Sequence, residues 1–158
     1  MTLQGAEPAT PELAGLLDFW LSRATGGAPP RAADLSPADL RRWKDHLVVF
    51  EVAAEEEYVY TFYGRALAEA FGGSRLGATL DELPAAQRAV LATEYAAVIA
   101  EGLPACRVHS ADFSGRFRSF ERLVLPLLGD GDRVDKLLVA AYELRIELSP
   151  RAQELPAQ

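Results

Sequence analysis

The chain has 158 residues, 49% of them hydrophobic and 25% charged, and a formal net charge of −7. That length suits one domain with a full core, and that composition excludes wholesale disorder. The acidity excludes a broad basic face for nucleic acid and argues against docking on an anionic membrane.

Met1 to Thr10 holds no basic segment leading into an apolar run, and no stretch reaches the roughly 18 apolar residues of a membrane helix. One cysteine, Cys106, leaves no internal disulfide, so the expected location is a reducing cytoplasm. The expected organisation is an N-terminal helix with its flank over 1–27, one domain over 28–148, and a polar tail over 149–158.

In chain order, Thr10-Pro11-Glu12 signals the first helix: a cap hydroxyl, a proline in the first turn and an acid beside it. Leu13, Leu16, Leu17, Trp20 and Leu21 then repeat at helical spacing and form one apolar stripe, ended by Gly26-Gly27. Such a stripe must be covered, either by its own sheet or by the same helix of a second copy. The expectation is a homodimer with these five residues in its interface. Ala28-Pro29-Pro30-Arg31 is an extended linker. Ser36-Pro37-Ala38-Asp39 opens a second, short helix closed by Trp43 and His46, with Leu35 and Leu40 placed as a staple across its cap.

Leu47–Val52 and Tyr58–Tyr63 read as a hairpin of two strands rich in β-branched and aromatic residues. A short helix follows over Ala66–Phe71, and a long one from Asp81-Glu82-Leu83-Pro84 to Glu101, stopped by Gly102. Its core face is Leu91, Tyr95 and Val98, with Ile99 alongside. Three strands complete the domain, Ala105–Phe113, Arg118–Leu128 and Val134–Arg145, with turns at Ser114-Gly115 and Gly129–Asp132. Pro126 predicts a bulge or a free edge in the middle strand. The order predicts an α+β fold: a five-stranded antiparallel sheet, helices on one face, and a pocket between them.

The sequence is similar to a known family over about Pro11 to Leu144. The similarity rests on Leu17-Asp18-Phe19-Trp20, on the run from Pro30 to Pro37, and on the aromatic strand ending at Gly64. It continues through Leu76-Gly77, Leu80 to Leu83, Phe120 to Leu127, and Asp130 to Asp135. In these the chain resembles the stand-alone bacterial PAS proteins best known from alphaproteobacteria. The resemblance implies a sensory and dimerisation module without a fused output domain, acting on a signalling protein not identified by sequence. It also implies that the last strand is central, with the first hairpin beside it.

Nothing in the sequence assembles a catalytic constellation. The chain has two histidines, His46 and His109, neither beside a nucleophile motif, and no phosphate loop or metal-ligand spacing. The expectation is therefore no enzyme and no metal. Haem-binding PAS members commonly place a histidine on the long helix, and flavin photosensors of the LOV type place a reactive cysteine in the helical group. This chain has neither, so the resemblance disfavours both cofactors.

The expected partner is a small apolar or aromatic molecule. The candidate contacts are Trp43, His46 and Phe62 from the first half, Phe71 and Tyr95 from the helices, and Arg122 and Tyr142 from the last strands. Tyr63 and Phe113 complete an aromatic set that reads mostly as core. A ligand-free protein-interaction module is the alternative. Arg31 and Asp34 read as a pair tying the linker to the domain. Glu121 and Arg122 are adjacent on a strand and face opposite sides, one towards the helices and the other towards solvent.

Overall fold

The computed structural model describes residues 3–54, 57–113 and 115–144, with the side chains of Ala111 and Phe113 outside the description. The expected tail over 149–158 lies beyond the described residues, as does Arg145. The element order is β1 (Gln4–Gly5), α1 (Pro11–Arg23), β2 (Leu47–Ala54), β3 (Glu57–Tyr63), α2 (Arg65–Phe71), α3 (Ala85–Glu101), β4 (Ala105–Phe113), β5 (Arg116–Leu128) and β6 (Val134–Leu144).

The strands form one sheet in the order β1-β4-β5-β6-β2-β3. β6 is central, antiparallel to both β5 and β2, as expected. The sixth strand is the two-residue β1, which adds in parallel to the edge of β4 at Ala105 and Cys106. Two residues carry no periodicity, so the sequence could not announce it.

Both faces of the sheet are covered: α2 and α3 share one face, as expected, and the N-terminal helix α1 covers the other. Along β6, Leu137, Val139 and Ala141 join the core under α2 and α3, while Leu138, Ala140 and Tyr142 join a second core under α1. This explains the near-continuous apolar run of β6, since a strand buried on both faces needs no polar alternation.

The stripe of α1 is filled by its own sheet. Leu13, Leu16, Leu17 and Trp20 are buried against Leu123, Leu125 and Leu138, and Nε1 of Trp20 donates to the Pro126 carbonyl at 2.9 Å. Only Leu21 of the five stands exposed. The expected dimer interface is revised accordingly, because Leu13, Leu16, Leu17 and Trp20 reach a second copy only if α1 leaves the sheet. Pro126 sits two residues past the last pairing of β4 with β5, Ala105 with Val124, so it meets a free edge as expected.

The predicted second helix does not form. Ser36 and Asp39 do make the reciprocal cap, Asp39 N–H to Ser36 Oγ and Ser36 N–H to Asp39 Oδ2, both at 3.1 Å. The chain then runs through four-residue turns to a single 3-10 turn at Lys44–His46. A nucleus this short does not propagate unaided, and its end is pinned elsewhere. Trp43 is buried beneath α1, with its Nε1 donating to the Glu12 carbonyl at 2.8 Å.

Candidate ligand cavity

A cavity of about 500 Å³ lies between the sheet and the pair α2 and α3. Strand alternation aims Val48 and Phe50 of β2, Val139 and Ala141 of β6, and Phe120 and Arg122 of β5 into it. Leu67 and Phe71 of α2 and Leu91 and Tyr95 of α3 close the other side. The walls are largely aromatic: Phe50 lies 5.1 Å from Tyr95 and 4.4 Å from Tyr60, and Phe71 lies 5.0 Å from Phe120, between ring centroids. This size and lining are those of small-molecule sites.

β3 contributes through a bulge. Val49 pairs with Phe62 but Phe50 pairs with Tyr60, so Thr61 is an extra residue that shifts the alternation. Tyr60 and Tyr63 therefore both line the cavity, 5.5 Å apart, while Phe62 is turned out and exposed. This corrects the placement of Phe62. Trp43, His46 and Tyr142 are corrected too. Ala141 pairs with Arg122 on the cavity side, so Tyr142 must face α1, where its ring meets His46 at 4.1 Å. Of the expected contacts, Phe71, Tyr95 and Arg122 come together in the cavity.

Arg122 faces the helices and forms an ion pair with Glu94 of α3, Nη2 to Oε2 at 2.6 Å, with both side chains almost wholly buried. Glu94 went unrecognised in the sequence, although it stands three residues after Leu91 and four before Val98, on the buried face of α3. Burial works against the charge of Arg122, but the charge and hydrogen bond of Glu94 support it, and its pKa stays above the usual guanidinium value. Burial pushes Tyr60 up to about 12 and also raises Tyr63 and Tyr95, so all three phenols keep their protons at neutral pH. His109 of β4 also lines the cavity; burial, then the charge of Arg122, lowers its pKa and favours neutral imidazole.

Glu121 does not meet solvent. It is buried on the α1 face and accepts the backbone N–H groups of Ala9 and Thr10 at 2.9 and 2.8 Å, serving the turn that leads into α1. Desolvation works to raise its pKa, but these N–H groups and the Thr10 hydroxyl together hold it below the usual value. A carboxylate depressed in the folded state stabilises above its unfolded pKa and loses that contribution as pH falls through the folded one. Glu121→Gln should therefore lower stability at pH 7 but flatten the loss of stability below about pH 4.5, near the unfolded value. Urea unfolding of both chains at pH 7 and pH 3.5 tests this, and parallel acid limbs would contradict it.

Cys106 is buried in the α1-side core, and burial, with Glu121 and Glu94 nearby, pushes its thiol up to about 12. Native protein at pH 8 should resist a thiol-specific reagent until denaturant is added. Labelling at the rate of a free thiol would contradict the burial. Among the described residues no group of three or more His, Cys, Asp or Glu is placed to hold a metal ion. No helix among them is long and apolar enough to cross a membrane.

A second groove, about 620 Å³, runs between the linker, the end of α3 and the β5–β6 turn. Arg31 lies there, but its partners are Asp132 and the Gly129 carbonyl rather than Asp34, so it ties the linker to that turn. Arg31 and Asp132 are committed to each other there, and the half-open aromatic cavity is the better ligand site.

The family model for the PAS domain matches residues 9–141. A comparison of the sequence with curated proteins finds no match. Among solved structures, the chain is similar to a light-oxygen-voltage domain carrying a flavin analogue, at 12% identity, 76% of this chain, 90% of that one and a TM-score of 0.53. It is also similar to the dark structure of the Aureochrome1 LOV photoreceptor, at 14%, 82%, 92% and 0.54. A third likeness is to VqmA bound to DPO, at 15% identity, 72% of this chain, 60% of that chain and a TM-score of 0.55. Identities this low show a shared fold and nothing finer.

Proposed function

The chain belongs to the PAS domain family, and from that premise we propose that it is a sensory module holding a small aromatic molecule between its sheet and α2–α3. Occupancy of the cavity is passed on through protein contacts. The observation that carries this reading is the cavity itself, with walls of Phe50, Tyr60, Phe71 and Tyr95 around one buried guanidinium, Arg122. VqmA, which shares the fold, is bound to DPO, in keeping with a ligand-holding scaffold.

PAS domains are generally sensory and non-enzymatic. Here His46 and His109 stand on opposite faces of the sheet, so the two imidazoles do not share a site. The reading carries neither flavin nor haem. Cys106 lies on the far face, away from any molecule in the cavity, and α3 offers no histidine. Purified protein is expected to be colourless. A flavin spectrum or a Soret band retained through gel filtration would contradict this.

The test of the function is thermal unfolding with a panel of aromatic metabolites, on the chain as it stands and on Ala141→Phe, which fills the cavity from β6. A ligand at a hundred times its Kd adds about 2.7 kcal/mol, a rise of several degrees. The expected result is a rise for the parent chain that the variant loses. A rise that survives in the variant would place binding elsewhere.

A further inference from the structure

The cavity wall carries hydrogen-bond donors that the fold itself does not use. Arg122 spends Nη2 on Glu94 Oε2, behind the lining, and its Nε is sealed in the core. Nη1 is the nitrogen left over. It makes no hydrogen bond among the described residues and is not sealed, on a side chain 12% exposed that lines the cavity. The hydroxyls of Tyr60 and Tyr95 are in the same position, unbonded among the described residues and open to the cavity that their rings line. Both phenols lie within the field of Arg122 and keep their protons, so the three donors sit together. A guanidinium only donates, and a protonated phenol can donate as well.

What these donors lack is an acceptor, and charge decides which kind. Glu94 already balances the guanidinium from behind, and at the mouth of the cavity Arg75 is outnumbered by Glu69 and Asp112. A carboxylate brought in would leave the site with an excess negative charge, in surroundings that screen poorly. A neutral oxygen accepts from the same donors without that cost. The rings of Phe50, Tyr60, Phe71 and Tyr95 suit a flat body.

Resting on the reading of the cavity as the ligand site, we infer that its ligand is a neutral aromatic carbonyl compound, a ketone or quinone, whose oxygen accepts from Arg122 Nη1 and the neighbouring phenols. Arg122 then sets the class of ligand, and the rings hold its body.

Three probes of one size separate the possibilities by calorimetry or by ligand-detected NMR on the full chain: acetophenone, benzoate, and α-methylstyrene, which has a methylene in place of the carbonyl oxygen. Acetophenone is expected to bind roughly tenfold or more tightly than either of the others, the worth of a hydrogen bond to a charged group. Its carbonyl carbon signal should also move downfield on binding. Glu94→Gln with Arg122→Met removes the guanidinium without stranding a charge, and circular dichroism confirms that the variant is folded. There the preference over α-methylstyrene should fall to about threefold, the share of the phenols. Equal binding of acetophenone and α-methylstyrene, or a parent chain that prefers benzoate, would overturn the inference while leaving the cavity as a binding site. So would a carbonyl signal that stays in place, or a folded double variant with an unchanged preference. Binding of none of the three at millimolar concentration would overturn the inference and the cavity reading together.

Discussion

Replacing Trp20 with alanine is expected to cost about 3–5 kcal/mol, which for a chain of this size lowers the melting temperature by roughly 6–20 °C. The indole is 1% exposed, in the core between α1 and the sheet, and its Nε1 is committed to the Pro126 carbonyl. Truncation opens a cavity among leucines that cannot close, and leaves the carbonyl without its donor. Trp20→Phe keeps most of the packing and should cost far less. The comparison also reports where α1 sits. If the stripe were covered by a second copy instead of by β5 and β6, the loss would fall as protein concentration rises. With α1 packed on its own sheet, the loss is the same at every concentration. Calorimetry of both chains across a hundredfold concentration range checks it.

A loss of similar size is expected for Arg122→Met, by another route. Methionine fills much of the space of the stem, but Glu94 is left with 4% of its side chain exposed and its counter-charge removed. Removing one partner of a buried pair typically costs about 3–5 kcal/mol, mostly the penalty of the stranded charge. Glu94→Gln with Arg122→Met removes both charges and should recover a large part of that. The double-mutant cycle in urea then isolates the coupling. A single Arg122→Met that unfolds at the parent's midpoint would mean that the pair is solvated.

Much of the fold was legible because its signals are local. The leucine and tryptophan stripe of α1, the aromatic hairpin and the Gly102 stop each follow from spacing within a few residues. The centrality of β6 came from the family resemblance, and its apolar run agrees with it. The site was legible only in part, for reasons of register. A bulge of one residue at Thr61 exchanges Phe62 for Tyr63 on the cavity face, and nothing in the composition of β3 marks it. Tyr142 and Arg122 both looked suited to a pocket, yet Arg122 pairs with Ala141, which sends Tyr142 to the other face. Glu94 shows the reverse case. Its helical position between Leu91 and Val98 already placed it inside, and a charge so placed calls for a cation on the facing strand, which Arg122 of β5 supplies.

Binding of a small aromatic molecule in the cavity under α2 and α3 can be followed residue by residue in a two-dimensional amide NMR titration of the full chain with benzamide. Saturable shifts are expected to cluster at Phe50, Tyr60, Phe71, Leu91, Tyr95, His109 and Arg122. The far face, at Leu16, Trp43 and Tyr142, should stay in place. Shifts centred on α1, or none up to the solubility of the probe, would contradict it.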